Sequence, residues 1–317
     1  MRKRMKFWLI SATALVLVGL IGFGGFMAML KWDFTRLGGA YETVEHAVTE
    51  RFESISLQAG TACIEILPTE GDARVVCYEK EGASHAVAVN EGVLSVKLND
   101  QRRWYERLVD FGKPKITVYL PEGKYEELLI RSSTGDVTVS KDFGFLAVDI
   151  ALSTGNVFCY ASASEEMSIQ TDTGNITLEN AKIGALTLCA STGDITAKNV
   201  TALDVSLTVS TGRTALEDLT CKSLSSLGDT GDILLKSVIA KEEISVERST
   251  GDVTFDGCDA AQIDVETSTG DVKGSLLSEK VFFAETDTGR KSVPKTQSGG
   301  RCEIETSTGD IIITLKG

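Results

Sequence analysis

A Thr-Gly dipeptide recurs through the chain with its glycine at Gly135, Gly155, Gly174, Gly193, Gly212, Gly231, Gly251, Gly270, Gly289 and Gly309. The intervals are 20, 19, 19, 19, 19, 20, 19, 19 and 20 residues. So steady a period marks a repeat architecture, in which one unit cannot bury its own apolar face and stacked units share a continuous core. The frame around each glycine is kept too. Seven residues before it, apolar residues run from Leu128, Val148 and Met167 to Ile263, Phe282 and Cys302. Five before it stand Ile130, Ile150, Ile169, Leu188 and their counterparts; two after it stand Val137, Val157, Ile176 and Ile195; four after it stand Val139, Cys159, Leu178 and Ala197.

Spacing by two on both sides of a glycine reads as strand, turn, strand, with one face buried. Glycine suits the turn because it adopts positive φ without a Cβ clash. Asp or Asn follows it in eight of the ten units, as at Asp136, Asn156 and Asp252, and such side chains bond local backbone in turns. A weaker apolar position seven residues after the glycine, at Ala181, Val200, Leu219, Val238, Cys258 and Leu277, marks a second corner. Two architectures fit. In a β-solenoid each unit is one coil and equivalent residues stack about 4.8 Å apart; in a hairpin meander the Thr-Gly is a two-residue loop. The constant period favours the solenoid, because stacked coils must match in length. The repeats occupy residues 126–317, and the last, Ile311 to Leu315, is expected to leave an open sheet edge.

Residues 51–125 are an irregular β region. Ile55, Ala62 and Ile64 keep the repeat frame around Gly60, while Val93–Leu98 and Ile116–Leu120 read as strands. Residues 31–50 are a linker, either an extended connector or a short helix from Glu42. Cys63 and Cys77 would face each other if Glu70 centres a hairpin; otherwise the seven cysteines are small buried hydrophobes.

Residues 1–6 hold Arg2, Lys3, Arg4 and Lys6, and residues 7–30 are uncharged and apolar. Those 24 residues make a helix about 36 Å long, enough to cross a ~30 Å hydrocarbon core. The basic flank places the N-terminus in the cytoplasm and exports the rest. A cleaved signal peptide is the alternative, but Phe26 is too large for the cleavage pattern around Ala28. The flank takes four of the 32 Lys and Arg, so residues 31–317 carry 28 against 45 Asp and Glu, a net charge of −17. An acidic exported body excludes nucleic acid as a partner and repels anionic lipid headgroups.

The segment RFESISLQAGTACIEILP (51–68), then KITVYLPEG (115–123), then serial STGD strands, resembles the bacterial putative-adhesin family of β-strand-repeat proteins, a domain of unknown function. The resemblance covers about 51–317. It implies a membrane-tethered envelope protein, in some members encoded beside envelope-stress regulators, and it carries no catalytic residues onto this sequence.

Asp-Thr-Gly, the aspartic-protease signature, occurs at Asp172, Asp229 and Asp287, but each copy fills a slot where other units have Ser-Thr-Gly. Stacked coils align Asp232, Asp252 and Asp271 in one column and Glu247, Glu266, Glu285 and Glu305 in another. Like charges ~5 Å apart repel by only about 1 kcal/mol in water, so a solvated column is tolerated; its functional reading is weak Ca²⁺ binding, since Ca²⁺ favours several carboxylate oxygens. Arg213 and Arg290 interrupt the Asp column. Residues 100–115 gather Arg102, Arg103, Trp104, Tyr105, Arg107, Phe111, Lys113 and Lys115, a glycan-gripping composition or a surface excursion over the first coils. With two histidines, His46 and His85, most His-based metal and triad chemistry is excluded.

The expectation is therefore an all-β chain: a solenoid of about ten coils, an irregular N-terminal β region and one transmembrane helix. The expected function is non-enzymatic, a tethered envelope protein exposing an acidic solenoid for binding, adhesion or scaffolding, with an envelope or cell-wall glycan partner. An extracytoplasmic stress sensor is the alternative, and a polysaccharide-active β-helix enzyme a third.

Overall fold

The computed structural model describes residues 3–29, 32, 41–102 and 112–316. Each Thr-Gly joins a long strand to a short one, and equivalent strands of successive units pair in parallel. Ile150 lies opposite Ile169, Ile169 opposite Leu188, and Leu188 opposite Leu207. Parallel pairing identifies the β-solenoid and discards the hairpin meander, whose neighbours would be antiparallel. The apolar positions at −7, −5, +2 and +4 form inward columns that merge into one core running the length of the stack. The extra residue of a twenty-residue unit is absorbed in a β-bulge, as between Ala240 and Glu243, so the inward frame survives.

The N-terminal end is built from seven strands: β1 (Tyr41–Ala47), β2 (Ser54–Ala59), β3 (Cys63–Thr69), β4 (Arg74–Lys80), β5 (Ala83–Asn90), β6 (Val93–Asp100) and β7 (Lys115–Pro121). The first coil, β2–β3, is not the outermost layer. Ile55 of β2 sits between Leu94 of β6 and Leu128 of the first repeat, and Ile64 of β3 between Ile116 of β7 and Val137. Outside this layer β5 runs antiparallel to β6, β4 antiparallel to β7, and β1 antiparallel to β4. The expectation of a connector or helix across 31–50 is corrected for residues 41–47. They are a strand because β4 offers an unpaired edge along its whole length.

The C-terminal end repeats the device in reverse. Strand Gly300–Thr308 inserts between Gln262–Thr269 and Lys280–Thr288, with Ile304 flanked by Val265 and Ala284. Ile311 correspondingly lies between Val272 and Lys291. The open edge expected at Ile311–Leu315 is thus corrected: the chain skips one layer, lays down the end coil first, and returns to fill the gap. Gly299 and Gly300 permit the return, since a Cβ on either would lie 1.8 or 1.9 Å from the carbonyl oxygen of Glu279 or Ala261. The end coil has a neighbour on one side only, so Phe282 and Ala284 are half-buried and Lys291 is exposed. Leu277 is also corrected. A bulge at Gly257 sets Leu276 opposite Cys258, which buries Leu276 and leaves Leu277 outside.

Cys63 and Cys77 do not meet. Strand β7 runs between β3 and β4, and Cys63 faces Lys115 while Cys77 faces Ile116, on the opposite side of the sheet. All seven cysteines are free thiols.

Helix α1 (Lys3–Met29) contains a 24-residue apolar stretch, Lys6–Met29, long enough to cross a membrane and with none of its apolar window buried.

Candidate functional site

The turn face is the most regular surface. The ten glycines all have positive φ, from 126° to 159°. Each packs on the turn of a neighbouring coil: a Cβ on Gly231 would lie 2.0 Å from the Gly212 carbonyl oxygen. The Thr carbonyl of one coil accepts the Gly N–H of its neighbour, as in Gly155 to Thr173 at 2.9 Å. A position absent from the sequence reading, three before the glycine, also faces inward. There Thr171 and Thr306 donate to the carbonyls of Gly155 and Gly270 at 3.1 Å each. Its mixture of Ser, Leu, Thr, Ala, Val, Gly and Arg hides it; the recurrence of Thr at 171, 267, 286 and 306 was the available signal.

The Asp column is a hydrogen-bonded ladder. Asp232 Oδ1 accepts the Asp252 N–H at 3.0 Å, Asp252 Oδ1 the Asp271 N–H at 2.8 Å, and Asp271 Oδ1 the Asp310 N–H at 2.7 Å. Asp310 ends it by accepting both the backbone N–H and the guanidinium of Arg290, at 2.9 and 2.8 Å. One oxygen of each carboxylate therefore bonds coil to coil. Lys273 pairs with Asp271. These cations hold the carboxyls of Asp271 and Asp310 below the usual range, through Lys273 and Arg290 respectively. Glu247, Glu266, Glu305 and Glu285 are adjacent in that order, all exposed. The three Asp-Thr-Gly carboxylates do not converge. Asp172 and Asp229 lie three coils apart, about 14 Å at 4.8 Å per coil, too far to share a proton.

In the 100–115 segment, residues 103–111 lie outside the described residues, Arg103, Trp104, Tyr105, Arg107 and Phe111 among them. Arg102 is tied to Asp100 at 2.9 Å, and Lys115 to Glu65 at 2.8 Å. A basic and apolar groove does lie on the side of the stack. It has a volume of about 370 Å³, with Tyr125, Phe145 and the exposed Leu146 in its wall and Lys124 and Lys182 on its rim.

Polar clusters are also buried among the described residues. Arg248 is 3% exposed and donates to Ser226 Oγ at 2.9 Å and Thr214 Oγ1 at 3.2 Å. Burial pushes its pKa down. At the capped N-terminal end, Cys77, Glu79 and His85 converge, with their ligating atoms all within 4.8 Å. His85 Nδ1 lies 2.8 Å from Glu79 Oε2, which also accepts the His85 backbone N–H at 2.7 Å. Sequence reasoning missed this cluster by counting histidines alone. The available signal was Cys-x-Glu on one strand face, followed by the Glu81-Gly82 turn that folds His85 back.

The family model described as Toastrack DUF4097 matches residues 52–316. No curated protein matches. Among solved structures, a protein described as a putative lipid binding protein from Parabacteroides distasonis is 19% identical, with 74% of this chain and 94% of that chain covered and a TM-score of 0.49. One described as a putative adhesin from the same organism is 11% identical, covering 84% and 97%, with a TM-score of 0.48. A putative adhesin from Bacteroides fragilis is 16% identical, covering 87% and 97%, with a TM-score of 0.44.

Proposed function

The chain belongs to the Toastrack DUF4097 family, and from its geometry we propose a membrane-anchored, non-enzymatic envelope protein whose acidic solenoid binds or scaffolds along its sides. The observation that carries this reading is the protection of both ends: antiparallel β4 and β5 cover the N-terminal end, and the exposed charges Glu285 and Lys291 stand at the C-terminal edge. The first and last coils are each tucked one layer in, so partners meet the stack on its flanks. The uniform coils leave no long loops to wall a cleft of the kind polysaccharide-active helices need. The basic flank and 24-residue apolar helix serve as an uncleaved anchor, N-terminus inside, which holds the body of charge −17 away from anionic lipid.

The expected result is that the intact protein, with its N-terminal residues retained by mass, partitions with membranes. Added protease should reach the solenoid only from the outer side. Glycan or envelope partners should co-purify without turnover, and Lys124→Glu with Lys182→Glu should weaken capture of an anionic glycan. Hydrolysis of a polysaccharide panel, or loss of the N-terminal segment from the mature protein, overturns the reading.

The columns Asp232, Asp252, Asp271 and Glu247, Glu266, Glu305, Glu285 support weak Ca²⁺ binding as part of the same surface. Millimolar Ca²⁺ should raise the melting temperature of the protein; identical curves with and without chelator overturn it.

A further inference from the structure

We propose that Cys77, Glu79 and His85 bind one divalent metal ion, Zn²⁺ by preference, inside the N-terminal cap. This goes beyond the flank-binding reading and concerns a different part of the molecule. Among the described residues this is the group of three His, Cys, Asp or Glu side chains whose ligating atoms converge, within 4.8 Å. The backbone places them. Cys77 and Glu79 are two residues apart on β4 and share its inward face. The turn at Glu81-Gly82, with Gly82 at φ 83°, sets Lys80 opposite Ala83. His85, two residues further along β5, then points to the same interior. The three residues are 0, 3 and 4% exposed.

A second observation points to a ligand. His85 Nε2 is buried without a hydrogen-bond partner, an arrangement that native interiors rarely tolerate. The other ring nitrogen, Nδ1, is 2.8 Å from Glu79 Oε2, so it donates to the carboxylate and fixes the ring with the unpartnered Nε2 as its metal-binding nitrogen. Two ligands on a tetrahedral zinc, each ~2.0–2.3 Å from the metal, stand about 3.3–3.7 Å apart. The three ligating atoms, all within 4.8 Å of one another, reach that spacing through side-chain shifts of about an ångström.

The donor set selects the metal. One sulfur, one imidazole and one carboxylate suit Zn²⁺, whereas Ca²⁺ and Mg²⁺ take oxygen. Binding converts the Cys77 thiol to a thiolate and releases its proton. A cavity of about 20 Å³, the size of one water, borders His85 together with Thr61, Lys80, Leu98 and Arg102; the fourth ligand is left to solvent. Because β4 pairs into one sheet and β5 into the other, the ion staples the two sheets of the cap together.

The test uses the full-length chain in detergent, stripped with a chelator and titrated with Co²⁺. One equivalent should produce a thiolate-to-cobalt charge-transfer band and the intense visible bands of a tetrahedral site. One equivalent of Zn²⁺ should bleach both and raise the melting temperature. Cys77→Ser and His85→Gln should each weaken binding by roughly 100-fold, while Cys63→Ser leaves it intact. Zn²⁺ should also shield Cys77 from alkylation, mapped by mass in the wild-type protein, so the test does not depend on the variants folding. Absence of a thiolate band in the wild-type protein, its persistence in Cys77→Ser, or alkylation of Cys77 at the same rate with and without Zn²⁺ overturns the proposal.

Discussion

Arg248 shows what a single exception in a repeat entails. It occupies the inward position three before Gly251, where Thr171, Thr267 and Thr306 stand in other coils. The departures of its neighbours fit it. Ser226 and Thr214 replace apolar residues and accept its N–H groups, and Gly228 has no side chain because a Cβ there would lie 2.0 Å from Arg248 Nη1. Four deviations that look unrelated along the sequence are one buried polar site. Removing an acceptor strands a buried cation, whereas replacing the whole group with apolar residues is often neutral or stabilising. Ser226→Val alone should therefore cost about 2 kcal/mol. Combining it with Thr214→Ile and Arg248→Thr should recover most of that loss, giving a coupling of at least about 1 kcal/mol in urea unfolding. Additive costs would disprove the shared site. The turn glycines are simpler. Gly231→Val forces φ near 130° on a β-branched residue against the Gly212 carbonyl, and should lower stability by a few kcal/mol in the same assay. The turn was legible because glycine recurs without substitution; the position three before it was not, because hydroxyl, aliphatic and cationic side chains all fit there.

At the scale of the element, the strand Gly300–Thr308 carries the most structural consequence. It is the last long strand in the sequence but second to last in the stack, so deleting residues 300–317 removes an internal layer. The expected outcome is that residues 280–298, although retained, become sensitive to limited proteolysis. Trimming confined to the new C-terminus would contradict the inserted order. The ladder that closes this end is electrostatic at its margin. Arg290 holds Asp310, and Lys273 holds Asp271, below the ordinary aspartate pKa of about 4. A depressed folded value means the unfolded chain binds more protons as the medium acidifies. The stabilisation is therefore complete above the ordinary value and is lost as the pH falls through it toward the folded one. Melting temperatures measured at about pH 6 and about pH 3 should fall more for the wild-type protein than for Asp310→Asn, which keeps an oxygen for the Arg290 N–H but has no carboxylate to titrate. The layer swap was illegible in the sequence for a physical reason: Phe282 and Cys302 occupy the same frame, and parallel pairing fixes each coil's register without fixing which coil is its neighbour. The one local sign was the pair Gly299-Gly300, which only a close backbone approach explains.

At the scale of the whole molecule, parallel strands from β6 to Lys280–Thr288 stack over about 50 Å at ~4.8 Å per strand. A rod built this way has two ends where unpaired backbone invites another copy. The period made the stack itself legible, and the apolar flank made the helix legible. The N-terminal cap escaped because β4 and β5 run antiparallel and abandon the 19-residue frame, which also concealed the meeting of Cys77 with His85. The far end is protected by other means. Lys291 fills the inward position that Val137, Ile176 and Ile311 fill elsewhere, and it is exposed, so an apolar neighbour would have to bury a charge to extend the sheet. Glu285 adds a second charge at the edge, and the 293–298 segment is tied to the start of the end strand, with Thr296 donating to the Lys280 carbonyl and Ser298 to Glu279 at 2.7 Å. Lys291→Ile with Glu285→Val should therefore expose a pairing-competent end and cause concentration-dependent association, read by light scattering of the full-length protein in detergent. The wild-type protein should remain a monomer under the same conditions. A doubly substituted protein that stays monomeric at the highest accessible concentration would show that these two charges are not what keeps the edge unpaired.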